Sequence, residues 1–249
     1  MRRLRVGKSA RLMATETRRK ADIEVVDLAL TPLRELNQRL HGLGVAGPRR
    51  WRILSPNGAH AVASGLDAEI EVEIEGHVGY YCAGMNKRAS VRVRGNAGTG
   101  VAENMMSGTV IVEGSASQSA GATGRGGLLV IHGDAAARCG ISMKGIDIVV
   151  AGSVGHMSAF MAQTGCLVVC GDAGEALGDS IYEAHLYIAG DVASLGADCV
   201  EKELRDEHVV ELRALLDRGG LDDVDPAEFR RYGSARRLYN FHVDNAGAY

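Results

Sequence analysis

Along residues 69–198 the chain repeats one short phrase, in which aliphatic residues alternate with other residues and a glycine closes the run. Val72-Glu73-Ile74-Glu75-Gly76 is the first copy, Val91-Arg92-Val93-Arg94-Gly95 the second and Leu186-Tyr187-Ile188-Ala189-Gly190 the seventh. The closing residues are Gly76, Gly95, Gly114, Gly133, Gly152, Gly171 and Gly190, every interval being 19 residues. Alternation with a period of two is the signature of a strand. The positions two and four before each glycine are aliphatic in all seven copies, so fourteen apolar side chains share one face. Self-similarity at a fixed period near 20 marks a repeat architecture, in which each unit buries its apolar face against its neighbours.

One strand per 19 residues leaves turns and short strands to fill the rest of each unit, and no amphipathic stretch long enough for a helix recurs. That excludes a leucine-rich repeat. The remaining solution is all-β: a single-stranded parallel β-helix of about seven coils with flanking helical extensions. Stacked at the ~4.8 Å strand spacing, seven coils make a rod roughly 30 Å long, filled by ladders of aliphatic side chains. A left-handed hexapeptide helix would place an aliphatic residue at every sixth position, which this period does not. The usual handedness of parallel crossovers favours the right-handed form.

The turns carry the same period. After the glycine come His77, Asn96, Ser115, Asp134, Ser153, Asp172 and Asp191, six of which are residue types that hydrogen-bond their own turn. The next residue is always Val or Ala, small enough to turn inward at a corner. The seventh position after the glycine reads Ala83, Ala102, Gly121, Gly140, Ala159, Gly178 and Ala197, which predicts close backbone approach at a second corner. Gly108, Gly127, Gly145 and Gly165 mark a third.

Three regions follow: a basic arm, short helix and lead-in over 1–65, the β-helix over 66–198, and a C-terminal helix and docking tail over 199–249. Residues 1–20 carry eight Lys or Arg against one acid, which suits a solvated arm or a tail docking on an acidic partner. Residues 31–40 predict a helix with Thr31 as N-cap and Leu33, Leu36 and Leu40 on one face, placed to cap the open end of the rod. Residues 201–218 predict a second helix ended by Gly219-Gly220, and 226–237 a third. The final segment from Leu238 is apolar and aromatic, as a docked tail would be.

One departure from a plain rod bears on function. The outward position three before each glycine is charged at first, Glu73 and Arg92, and then becomes Ile111, Val130, Val149, Val168 and Tyr187. A stacked apolar row on an outer face must be covered, either by the C-terminal helix or by another chain. These five residues are the candidate partner interface. Met85, Met105, Met106, Met143, Met157 and Met161 gather on the long turns, as corner fillers or as an adaptable contact surface.

Composition narrows the function classes. A net charge of −3 with only 4% aromatic residues argues against nucleic acid, and no apolar run approaches a membrane span or forms a leader. Five cysteines, an odd number, fit reduced thiols and a cytoplasmic setting. Cys166 and Cys170 lie four apart on one face and lack partners as a metal pair. The runs Gly95-Asn96-Ala97-Gly98-Thr99-Gly100 and 121–127 have the glycines of phosphate loops but not the Lys-Ser/Thr pair, and read as corners. His60 reads as a packed residue of the lead-in turn. Asp172, Glu175, Asp179, Asp191 and Asp198 lie on neighbouring coils, so a carboxylate pair for sugar cleavage is an alternative. The eight histidines show no ligand spacing. No catalytic, cofactor-binding or metal-ligating residue is assigned.

Gly95-x-x-Gly98-x-Gly100 and the strand-Gly-x-x-Gly phrases resemble the GXGXG β-helix domain, which closes the large subunit of glutamate synthase and also occurs in formylmethanofuran dehydrogenase. Val26-Asp27-Leu28 followed by Leu33-Arg34-Glu35-Leu36-Asn37 is similar to the lead-in of the glutamate synthase domain. Pro56-Asn57-Gly58-x-His60 and Gly178-Asp179-Ser180-Ile181-Tyr182-Glu183 resemble its stand-alone version, over roughly residues 22–215. Within that group the chain most resembles the small β-helix subunit of N-methylglutamate synthase, the methylamine–glutamate N-methyltransferase. The resemblance implies a hetero-oligomer with two kinds of partner. One is a class II glutamine-amidotransferase-like subunit; the other carries FMN and an iron–sulfur cluster. It also implies that the β-helix holds them together, binding no cofactor and bringing no catalytic residue.

Overall fold

The computed structural model describes residues 23–43 and 47–238. The basic arm at 1–20 and the tail beyond Leu238 lie outside the described residues. The strands are β1 (Ile23–Asp27), β2 (Arg50–Leu54), β3 (Glu71–Glu75), β4 (Ser90–Val93), β5 (Thr109–Val112), β6 (Leu128–Ile131), β7 (Asp147–Val150), β8 (Cys166–Val169), β9 (His185–Ile188), β10 (Cys199–Lys202) and β11 (Arg230–Ser234). Helix α1 spans Leu33–His41 and α2 spans Asp206–Gly219, with a 3₁₀ turn at Pro226–Glu228.

From β1 to β9 every strand pairs in parallel with the next, as the repeat requires. Between β3 and β9 the partners are 19 residues apart, so Val72 lies beside Val91, and Val91 beside Val110. The molecule is a parallel β-solenoid of about seven turns. All fourteen inward aliphatics of the strands are buried and belong to one core cluster. A second parallel ladder runs along the corner after the glycine, through Val78, Ala97, Ala116, Ala135, Val154, Ala173 and Val192.

The turn after the glycine works differently from expectation. The side chain at this position does not close its own turn; it accepts the amide of the equivalent residue one coil further on. Asn96 Oδ1 accepts from Ser115 N at 2.9 Å, Asp134 Oδ1 from Ser153 N at 2.8 Å and Asp172 Oδ1 from Asp191 N at 2.8 Å. His77 joins the ladder through Nδ1, which accepts from Asn96 N at 2.9 Å. The closing glycine makes room for it: a Cβ at Gly114 would fall 2.1 Å from Asn96 Oδ1.

The second corner has a physical cause beyond crowding. In the first six coils positions five, seven and nine after the glycine have positive φ, as in Ser119 (60°), Gly121 (67°) and Thr123 (56°). Their amides bond alternately forward and back: Ser119 N to Ala137 O, Gly121 N to Val101 O, Thr123 N to Ile141 O. The middle residue of each triplet points inward, where a Cβ at Gly121 would meet Ile148 Cδ1 at 2.6 Å. A left-handed backbone facing a packed core admits only glycine or alanine there.

Both ends are closed. Leu36 and Leu40 of α1 are buried in the core cluster. Asn37 on α1 supplies hydrogen bonds that a preceding coil would otherwise give: Oδ1 accepts from Ala63 N at 3.1 Å and Nδ2 donates to Ala61 O at 2.9 Å. At the other end residues 226–237 are not a helix. After the 3₁₀ turn they form β11, which inserts antiparallel between β9 and β10. Residues 201 and 202, the expected start of the second helix, instead belong to β10, the strand that pairs with β11.

Candidate functional site

The outer face of the strand ladder changes character along the rod. Over β2 to β4, and at Glu113 just past β5, it is charged and open to solvent. Arg52 Nη2 lies 3.1 Å from Glu73, Arg94 Nε donates to Glu73 at 2.7 Å, and Arg92 pairs with Glu113. A cavity of about 280 Å³ opens here, bordered by Arg50, Trp51, Arg52, Glu73 and Arg92. Exposed pairs of this kind stabilise by roughly 0–1 kcal/mol each, so this face is wetted rather than held shut.

From β6 onward the face is apolar, and α2 lies over it. Val130, Val149, Val168 and Tyr187 are fully buried, packed with Leu212, Leu215 and Leu216 of α2 and with Phe229. Ile111, at the edge of the helix, is half-buried against the same cluster. The five residues assigned as a partner interface are therefore not a free surface: the chain's own C-terminal helix covers four of them. The row is apolar only where the helix lies.

Beneath α2 a polar group interrupts this contact. Asp147, Cys166 and His185 occupy the same outward position, five before the glycine, on three successive coils. Glu211 of α2 reaches down to them. Its Oε2 accepts from the Tyr187 hydroxyl and lies 2.8 Å from His185 Nδ1. The ligand atoms of Cys166, His185 and Glu211 all lie within 4.8 Å of one another. Burial acts to raise the Glu211 carboxyl, but the Tyr187 and His185 bonds outweigh it and hold the group below its ordinary range. Burial pushes the Cys166 thiol up, and the neighbouring Glu211 and Asp147 charges push it further. Asp147 is also raised by burial, against the pull of Arg218 at 3.2 Å. His208 stands edge-on to His185, ring centroids 5.5 Å apart, and its Nδ1 accepts the Arg205 amide at the start of α2.

Sequence reasoning missed this cluster. Cys166 and His185 are one period apart, which is the signal that could have paired them; Glu211 lies outside the repeat and gives none. Cys166 and Cys170 do share the outer face, both in or against the apolar cluster beneath α2.

The other candidate residues take structural places. Asp179 bonds the Ser180 hydroxyl at 2.7 Å and Ala197 N at 3.2 Å, and Asp198 accepts from Ser234 Oγ at 2.6 Å and Arg237 N at 2.9 Å. His60 is exposed rather than packed inside; it stacks on Tyr80 at 3.9 Å and accepts the Tyr80 amide at 3.1 Å. The methionines divide: Met105 and Met143 are fully buried fillers, whereas Met85, Met106 and Met161 are exposed. The outward side of α2 forms an open apolar groove of about 620 Å³ with Val209, Val210, Ala214, Pro226 and Ala227, and Val210 is 70% exposed. Among the described residues no helix is long and apolar enough to cross a membrane.

No protein-family model matches the chain. It is 63% identical over 226 residues to Protein GlxC of Rhizobium meliloti (strain 1021), a match covering 90% of this chain and 99% of that protein. Identity at this level over nearly the whole of both chains means a shared fold, and the chain belongs to the GlxC family.

Proposed function

We propose that this chain is a scaffold component of a glutamate-synthase-like complex, most specifically of an N-methylglutamate synthase that makes N-methylglutamate from methylamine and glutamate. It holds a class II glutamine-amidotransferase-like subunit against a second partner bearing FMN and an iron–sulfur cluster, in the cytoplasm. The observation that carries this reading is the uninterrupted 19-residue solenoid, the architecture of the domain that the sequence resembles. A rod with both ends closed and a continuous core is a rigid spacer, suited to fixing the distance between two other chains. Because α2 already covers the apolar row, the surfaces offered to partners are the apolar groove outside α2 and the edge bearing Met85, Met106 and Met161.

The alternative, a free-standing enzyme on sugars or acyl groups, needs acids free to exchange protons. Asp172, Asp179 and Asp198 are instead acceptors in the hydrogen bonds that stack the coils and fasten β11. The test is co-expression with an amidotransferase-like chain and an FMN/iron–sulfur chain encoded beside it. Co-elution of all three, with methylamine-dependent turnover only when this chain is present, supports the scaffold. Turnover by the isolated chain, or activity of the other two without it, overturns the reading.

A further inference from the structure

We propose that Cys166, His185 and Glu211 form a binding site for one zinc-type divalent cation, which clamps α2 to the last two coils of the rod. The inference does not depend on the scaffold reading. A sulfur, an imidazole nitrogen and a carboxylate oxygen within 4.8 Å of one another are the donor set and spread that tetrahedral zinc uses. Two of the donors come from neighbouring strands in register, Cys166 beside His185, and the third from the helix packed over them. The ligands are thus preplaced on rigid elements, where a site costs little ordering.

The surroundings supply what a bound cation requires. The Tyr187 hydroxyl already donates to the Glu211 carboxylate, the outer hydrogen bond that orients a ligating oxygen. His185 borders an open cavity of about 380 Å³, which brings solvent to one of the three donors. On binding, the Cys166 thiol releases its proton to solvent as the sulfur–metal bond forms. His185 ligates through Nδ1 as the neutral ring, with its proton on Nε2. Lys202, Arg205, Arg231 and Arg236 line the same cavity and oppose a cation there, so the Cys166 thiolate and Glu211 carboxylate must outweigh them; the single donor set gives a stoichiometry of one.

The experiment uses the full chain, stripped with chelator and titrated with Zn²⁺ by calorimetry and with Co²⁺ by absorption. One Zn²⁺ per chain is expected, with a thiolate-to-cobalt charge-transfer band and a Tm that rises with added zinc. Cys166→Ser abolishes the band, Glu211→Gln weakens binding at least about tenfold, and Tyr187→Phe weakens it by about 10–100-fold. Cys170→Ser, a thiol on the same face but outside the donor set, leaves both readouts unchanged. Melting of each metal-free variant separates lost binding from lost folding. Failure of the wild-type chain to show the cobalt band at stoichiometric metal overturns the proposal, as does a band that survives Cys166→Ser.

Discussion

Two substitutions on opposite sides of α2 isolate what the helix contributes. Leu216 is fully buried against the apolar row, and Val210, also on α2, is 70% exposed. Alanine is the best helix former, so neither Leu216→Ala nor Val210→Ala weakens the helix itself. What differs is packing. Leu216→Ala removes buried methyl groups between α2 and Val130, Val149 and Val168, and leaves a cavity that a close-packed sheet face cannot collapse. Substitutions of this type cost about 2–5 kcal/mol. Taking ~3 kcal/mol, and roughly 2–4 °C per kcal/mol for a chain of this size, Tm falls by about 6–12 °C. Val210→Ala removes little buried area and stays within about 0.5 kcal/mol of wild type. Thermal unfolding by circular dichroism, repeated in urea, reads both. Equal shifts for the two variants, or a Leu216→Ala chain that melts like wild type, would show that α2 does not cover the stripe.

Val112→Asp puts a carboxyl into the inner ladder between Val93 and Ile131, where exposure is nil; a loss of several kcal/mol is expected, and wild-type melting would contradict the inward face. Asn37→Ala leaves the buried Ala63 amide without its acceptor at the capped end and should cost about 1–3 kcal/mol in urea unfolding, with amide exchange quickening first in residues 59–65. Two depressed groups on α2 contribute to the pH response. His208 is held below 6.5, by burial first and then by Arg231 and His185, so the unfolded chain takes up that proton first and stability begins to fall as the pH drops through 6.5. Glu211 is depressed below 4.5, so its contribution is whole above pH 4.5 and is lost as the pH falls further; Tm should fall less steeply there in Glu211→Gln, and superimposable profiles would remove this role.

The solenoid was legible because its information is periodic: one constraint, burial of the same two positions per coil, is written seven times. The outer row was legible as something covered, since Ile111 to Tyr187 are too apolar for a wet face. What covered it was not, because the match between Leu212, Leu215, Leu216 and the row is a fact of shape. Residues 226–237 misled for a related reason. Ala227, Glu228 and the arginines favour a helix locally, but β9 presents an unpaired edge, and pairing it with β11 outweighs the propensity. The left-handed triplets at the second corner left only a trace, small residues at one position. Their flanking members, such as Ser119 and Thr123, are of ordinary size because they face outward. The cluster of Cys166, His185 and Glu211 joins the repeat to the non-repeating helix, and no period connects those.

The central claim, that coils of equal length stack in register, is tested most directly by deleting one of them. Removal of residues 96–114, one whole period between Gly95 and Ser115, brings β4 beside β6 with every inward position preserved. The account predicts a soluble chain, shorter by one ~4.8 Å step, that keeps its β-sheet spectrum and a cooperative melt. Removing only residues 96–105, about half a coil, should leave no cooperative transition, because every following strand is thrown out of register. A 19-residue deletion that unfolds while the half-coil deletion folds would contradict it.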